Sequence, residues 1–152
     1  MRVGIGYDSH RFAPGRRLVL GGVEIEHEAG LGGHSDADVL THAVIDALLG
    51  AAGMGDLGTH FPPDDDRWRD ADSLDLLRTV LGLLGGPVIN VDASVICESP
   101  RLGPHRGEME RNLSATLGAP VSVKASSNEG MGWVGRGEGI ACVAVVLIGA
   151  SG

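Results

Sequence analysis

The longest unbroken apolar run in the chain, IACVAVVLIGA at residues 140–150, sets the first limit on what it can fold into. A bilayer span needs about 20 such residues, so 11 cannot cross one. The Val and Ile within the run suit a strand, read over 139–148, and a strand needs partners. Candidates are RVGIGY (2–7), VINVDASVIC (88–97) and VSVKAS (121–126). RLVLGGVEIE (17–26) is two short apolar runs split by Gly21 and Gly22, a hairpin signal. Gly4 and Gly6 would let another backbone or a ligand come close. They make no dinucleotide fingerprint, because no third glycine opens a helix.

Three helices fall between these strands. Ser35 is a good N-cap with Asp38 three residues on, and Leu40, Val44, Ala47 and Leu48 share one face before a stop near Gly50 to Gly53. Asp72 or Ser73 can cap a second helix carrying Leu74, Leu77, Val80, Leu81 and Leu84, broken at Gly85, Gly86 and Pro87. A third spans about 104–117 with Met109, Leu113 and Leu117 on one face. Residues 30–35 (GLGGHS) and the polar segment GMGDLGTHFPPDDDRWRDADS read as loops, the second long enough to be kept for function. The order predicts an α+β class: a mixed sheet with helices packed on one face, a ferredoxin-like sandwich. With no repeat or linker, 152 residues read as a single domain, 1–152.

Composition narrows the function. Hydrophobic residues make up 43% of the chain, enough for a core. Lys plus Arg is 12 against 20 for Asp plus Glu, a net charge of −8, and only five residues are aromatic. Such a chain attracts phosphate weakly and offers few rings for stacking, so no nucleic-acid partner is expected. An anionic ligand must be held by local devices: metals, helix N-termini or backbone amides. The N-terminal MRVGIGYDSHRF carries no apolar run followed by a small-residue cleavage site, so no secretory leader and no membrane association are expected. Cys97 and Cys142 each sit in an apolar run without C-x-x-C spacing, and read as free buried thiols in a reducing, cytoplasmic setting.

Asp8 and His10 are two apart on an extended segment, so both side chains project to one side. That is metal-ligand geometry in need of a third donor, and His42, one turn after Asp38 on the first helix, supplies it. Three N and O ligands with a fourth position open mark a catalytic zinc site. The alternative is a surface Asp–His pair and a packed helix histidine. His34 and Ser35 precede the helix, where Ser35 either caps it or joins the helix amides in binding a phosphate. Asp56 in GDLG is a turn aspartate or orients a hydroxyl or a metal-bound water. Asp64, Asp65 and Asp66 read as solvated charges. In KASSNE, Ser126 and Ser127 could bind phosphate, and Glu129 could hold a magnesium ion that also takes phosphate oxygens. Lys124 reads as facing solvent or an ion pair. Arg136 and Glu138 form either a salt bridge or part of a site, and Arg101 either contacts phosphate or is solvated.

Taken together, GYDSHRF, GGHSDADVLTHAVIDALLGAAGMGDLG and KASSNEGMGWVGRGEGIAC resemble the 2-C-methyl-D-erythritol 2,4-cyclodiphosphate synthase family, end to end. The resemblance implies an enzyme of the non-mevalonate isoprenoid pathway. It cyclises a cytidine-diphospho-methylerythritol 2-phosphate, releases CMP and works as a homotrimer with interfacial active sites. It implies Zn2+ on Asp8, His10 and His42, and Mg2+ or Mn2+ on Glu129 plus substrate phosphates. His34, Ser35, Asp56, Gly58 and Asp65 match substrate contacts, and His34 and Ser127 match the transition-state stabilisers. Cys97, Arg101, Leu102, Gly103, Ala125 and Ser126 match the cytidine and ribose pocket. Trp133 and Arg136 match loop positions at the site or the trimer axis, where a prenyl diphosphate could sit. Pro63 stands where many members carry aspartate, which removes one contact to the erythritol moiety. Arg101 replaces a lysine, and Asn128 a hydroxyl residue. Two rival readings stay open: a zinc-dependent phosphoesterase and a non-catalytic trimer that binds anions or prenyl diphosphates.

Overall fold

In the computed structural model, which describes residues 1–150, burial alternates along β1 (Arg2–Pro14). Gly4 and Gly6 are buried while Val3, Ile5 and Tyr7 are exposed. The glycine side of the strand therefore faces the core. The hairpin strands β2 (Leu18–Leu20) and β3 (Val23–Ile25) follow, then β4 (Ala29–Leu31). After the helical region come β5 (Val88–Ile96), β6 (Val121–Ser126) and β7 (Gly139–Ile148). The main sheet has the order β4-β1-β7-β5-β6, and β2 pairs with β3 in a separate ribbon. β7, the apolar run, is central: it pairs antiparallel with β1 from Arg2↔Ile148 to Arg11↔Gly139, and antiparallel with β5 on its other edge. β5 and β6 are parallel, from Val91↔Val121 to Ile96↔Ser126, so the sheet is mixed.

The helices cover one face. α1 (Val39–Ala52) lies on β1 and β7, and α2 (Leu57–His60) follows it. α3 (Ser73–Leu81) packs on α1, and α4 (Arg106–Leu117) on β6 and α3. A single turn, α5 (Gly132–Gly135), sits between β6 and β7. Ile140, Cys142, Ala144 and Val146 of β7 meet Leu40, Ile45, Leu48 and Leu49 of α1 in one core. Sheet below and helix and hairpin above leave α1 buried almost all round, which is why its apolar positions outnumber a single amphipathic face.

The mixed sheet with helices on one face is as expected, and so are the strand bounds 121–126 and 139–148. The finer ferredoxin-like order is corrected. That motif runs β-α-β-β-α-β, whereas here β5-α4-β6 is a parallel crossover unit and β7 returns to the middle of the sheet. β1 runs to Pro14 rather than stopping at Tyr7, because β4, read as part of a glycine loop, pairs with its far end (Phe12↔Leu31). α1 starts four residues beyond Ser35. Its cap is Asp38, whose carboxylate accepts from Thr41 N and Oγ1 and from the Gly21 and Gly22 amides. α3 is capped by Asp72 and ends before Leu84. Cys97 and Cys142 are buried and unpaired. Among the described residues no helix is long and apolar enough to cross a membrane.

Candidate active site

α1 can lie this close to β1 because two strand positions lack side chains. A Cβ on Gly4 would stand 1.9 Å from the Ala47 carbonyl oxygen. Continuing along the same strand face past Gly6, the next two side chains are Asp8 and His10, and the helix turn above them carries His42. Asp8 Oδ2 lies 2.9 Å from His10 Nε2 and 3.2 Å from His42 Nδ1, and those two nitrogens are 3.2 Å apart. Donor atoms on a tetrahedral zinc, each about 2.0–2.1 Å from the ion, lie about 3.3 Å from one another. The triangle therefore fits three corners of such a site, and it is the group of side chains able to hold a metal among the described residues.

The far nitrogen of each ring is engaged. His10 Nδ1 is 2.8 Å from the Gly32 carbonyl oxygen, which only accepts, so Nδ1 carries a proton and Nε2 is the nitrogen that faces the triangle. His42 Nε2 is 2.8 Å from Ser73 Oγ and 3.1 Å from Ser35 Oγ. Burial works against the ionised form of Asp8, yet hydrogen bonds and charge from His10 and His42 outweigh it and hold its carboxyl down to about 2. Burial likewise works against a charged His10, and Asp8 outweighs it to raise the imidazole above its ordinary value.

The triangle lines an open cleft of about 210 Å³. His34, Ser35, Gly58 and Pro63 line it too. His34 donates from Nε2 to the Asp65 carbonyl at 3.0 Å. Ser35 Oγ accepts from the Ala37 amide but caps no helix. Phe61 and Trp68 meet edge to face at 4.9 Å and supply an apolar wall. Both were missed in the sequence; two of only five aromatics inside a polar loop was the available signal. Asp46 was missed as well: its Oδ1 accepts from the Leu57 amide at 2.7 Å and anchors the start of α2 beside Gly58. Burial raises the Asp46 carboxyl above its usual range.

Asp56 caps α2 through Thr59 N and Oγ1, both at 2.8 Å, bonds that lower its carboxyl below the usual range. Asp65 caps the turn 66–68 and pairs with Arg67 at 2.5 Å. Neither aspartate lines the cleft. Lys124 pairs with Asp92. A second cleft, across the sheet at the ends of β5 and β6, collects Cys97, Arg101, Leu102, Gly103, Ala125, Ser126 and Ser127. Glu129 lies exposed in the loop beyond, hydrogen-bonded to Ser127 Oγ at 3.3 Å. Trp133 lines a small cleft with Ser9, His10 and Glu138, and Arg136 pairs with Glu138 at 2.8 Å. β1 and β6 stand three strand spacings apart, about 14 Å. One chain therefore holds most of its predicted residues in two separate clefts, with Trp133 in a third and Asp56, Asp65, Glu129 and Arg136 outside them.

A 2-C-methyl-D-erythritol 2,4-cyclodiphosphate synthase of Symbiobacterium thermophilum is 58% identical over 97% of this chain and 98% of its own length. A 2C-methyl-D-erythritol-2,4-cyclodiphosphate synthase solved in its CDP-bound form is 36% identical and superposes with a TM-score of 0.89 over 97% of this chain and all of that one. A bifunctional IspDF of Campylobacter jejuni, 39% identical, matches with a TM-score of 0.91 over 95% of this chain, which spans 41% of that longer protein. The YgbB family model matches residues 1–149, and with this fold and these relatives the chain belongs to the YgbB family, that of the 2-C-methyl-D-erythritol 2,4-cyclodiphosphate synthases.

Proposed function

We propose that this chain, a single synthase domain over 1–152, cyclises 4-diphosphocytidyl-2-C-methyl-D-erythritol 2-phosphate to 2-C-methyl-D-erythritol 2,4-cyclodiphosphate and releases CMP. The observation that carries the reading is the Asp8–His10–His42 triangle on the wall of a cleft also lined by His34 and Ser35. A 2-phosphate oxygen of the substrate forms a bond to the β-phosphorus, and the bond from that phosphorus to the oxygen of the CMP phosphate breaks. The nucleophile is already anionic, so no side chain need remove a proton. The work left to the protein is folding the substrate so that its ends meet, which in well-oriented intramolecular reactions saves roughly 7–11 kcal/mol.

Asp8, His10 and His42 would hold Zn2+, and Glu129 would hold Mg2+ or Mn2+ together with substrate phosphates. These ions supply charge that a chain of −8 lacks for a polyanionic substrate. Ser35 Oγ accepts the Ala37 amide and lies 3.1 Å from His42 Nε2; with that nitrogen protonated, the Ser35 hydroxyl would donate to a phosphate oxygen. His34 and Gly58 on the cleft wall would contact the methylerythritol end, and Asp56 and Asp65 would have to turn from their caps to join them; Cys97, Arg101, Leu102, Gly103, Ala125 and Ser126 would take cytidine and ribose.

His34 and Ser127 act as the transition-state pair, and this requires more than one copy of the chain. They line two clefts that share no residue, one beside β1 and the other at the end of β6, three strand spacings away, and this separation argues against their attending one phosphorus within a subunit. A homotrimer that shares each site between neighbours brings them together. The uncovered sheet face supports that assembly: Val3, Ile5, Tyr7 and Val145 are 69%, 70%, 56% and 41% exposed, side by side. Three such faces around an axis would enclose an apolar cavity able to take a prenyl diphosphate, with Trp133 and Arg136 nearby. The unpaired buried thiols favour a reducing, cytoplasmic setting.

The test is incubation of the chain with the cytidyl substrate and Mg2+, followed by 31P NMR before and after chelation. Cyclic diphosphate plus CMP, abolished by chelator, is expected. Linear phosphates would replace the reading with a phosphoesterase, and no turnover with zinc loaded would leave only a binding protein.

A further inference from the structure

We infer that Asp36 and Ser73 are positioning residues that lock His42 in the tautomer able to bind metal. The inference rests on the zinc-site reading above. The side-chain caps are supplied elsewhere, by Asp38 for α1 and Asp72 for α3, so the Ser73 hydroxyl is not needed for capping and Asp36 reaches α3 only through the Ser73 amide. Ser73 is nonetheless fully buried. Its amide donates to Asp36 Oδ2 at 3.0 Å, and its hydroxyl donates to Asp36 Oδ1. The Asp38 amide gives Oδ1 a further hydrogen bond at 3.1 Å.

The direction of the chain of bonds follows from proton counting. A carboxylate only accepts, so the single Ser73 hydroxyl proton goes to Asp36. Ser73 Oγ then has only lone pairs left for His42 Nε2, 2.8 Å away. Nε2 must therefore carry the proton. Nδ1 is left facing Asp8 Oδ2 and His10 Nε2, where its lone pair would meet a metal; without one, Asp8 Oδ2, 3.2 Å away, can only accept from it. Ser73 lies 31 residues from His42 and Asp36 lies 37 from Ser73, so the relay exists only once α3 docks against the loop before α1. Partners of this kind fix ring orientation and raise ligand basicity, and losing one typically costs 10–100-fold in metal affinity.

The experiment compares wild type, Ser73→Ala and Asp36→Asn by zinc competition with a chromophoric chelator and by 15N NMR of the imidazoles in the metal-free protein. In wild type His42 should be Nε2-protonated. Ser73→Ala should raise the zinc dissociation constant about 10–100-fold and populate the Nδ1–H tautomer. Asp36→Asn keeps the shape; with its oxygen left on the Ser73 amide, its NH2 turns toward Ser73 Oγ and donates there at the cost of the Asp38 amide bond. That frees the Ser73 proton for His42 Nε2, and the same tautomer shift is expected. Unchanged zinc affinity in Ser73→Ala would overturn the inference. So would a loss of affinity in both variants with His42 still Nε2-protonated, since the pair would then only brace α3. Failure of the synthase reading would appear separately, as zinc-loaded wild type that makes no cyclic product.

Discussion

A Cβ built on Gly6 would stand 2.0 Å from the carbonyl oxygen of Ala43, which immediately follows His42 on α1. The strand and helix thus touch backbone to backbone just beside the ligand triangle. Gly6→Ala would force α1 off the sheet. Overpacking of this kind costs about 1–3 kcal/mol, and a contact with backbone belongs at the upper end. Urea unfolding should show that loss. Zinc affinity should fall with it, because His42 rides on the displaced helix. An unchanged midpoint would mean that α1 yields freely.

His42→Ala should abolish tight zinc binding and CMP release while leaving the assembly intact, since the ring faces Asp8 and His10 and not the exposed sheet face. Metal content and size-exclusion mass of the same sample check both halves. Full zinc occupancy in the variant would discredit the ligand assignment.

The pH dependence of the metal-free protein follows from Asp8 and His10. Asp8 has a folded value of about 2 against 3.8, so its contribution is present above 3.8 and lost as pH falls through about 2. His10 is raised from 6.5, so its contribution is full below 6.5 and lost as pH rises through the folded value. The stability difference between wild type and Asp8→Asn should therefore be greatest between about pH 4 and 6.5. It should shrink in alkaline buffer, as read by denaturant midpoints across that range. Zinc must displace the His10 proton, so its affinity should rise with pH until His10 is neutral. A flat affinity profile from pH 6 to 8 would contradict the pairing.

Asp38 accepts four hydrogen bonds from the Gly21, Gly22 and Thr41 amides and the Thr41 hydroxyl, in full burial. Asp38→Ala removes a helix cap and strands buried donors, each worth about 1–3 kcal/mol when unpaired. The expected loss is roughly 3 kcal/mol or more. A calorimetric scan should show a far lower transition than in Ser35→Ala, whose side chain caps nothing.

Burial pushes the Cys97 thiol up to about 11, and raises Cys142 further. The thiolate is the nucleophile, so neither cysteine should be alkylated quickly by iodoacetamide at pH 8 in the native protein. Both should react on unfolding, as mass spectrometry would show. Fast native labelling of Cys97 would mean that its cleft opens.

Much of the site is legible in the sequence. The two-residue spacing of Asp8 and His10 places both on one strand face by geometry alone, and the glycines before them announce a close approach. The capping pattern was harder. Ser35 and Asp38 are both good caps, and the choice fell to Asp38 because the Gly21 and Gly22 amides arrive from the hairpin to share its carboxylate. Asp46, Phe61 and Trp68 carried no spacing signal, since their roles depend on where α2 and the polar loop fold back over the cleft.

The sequence by itself determined the periodic features: the apolar strand 139–148, the bounds of β6, Asp8 and His10 on one strand face, and three helices placed by their apolar positions. These are short-range matters of side-chain direction and backbone freedom. Tertiary structure alone decided what depends on contacts across dozens of residues. It set β7 at the centre of the sheet rather than at an edge, extended β1 by pairing it with β4, and seated Ser73 against His42. It also parted most of the predicted residues between separate clefts. The physical reason is that burial and hydrogen-bond saturation are satisfied over the whole chain at once, and no local window contains the partner that completes them.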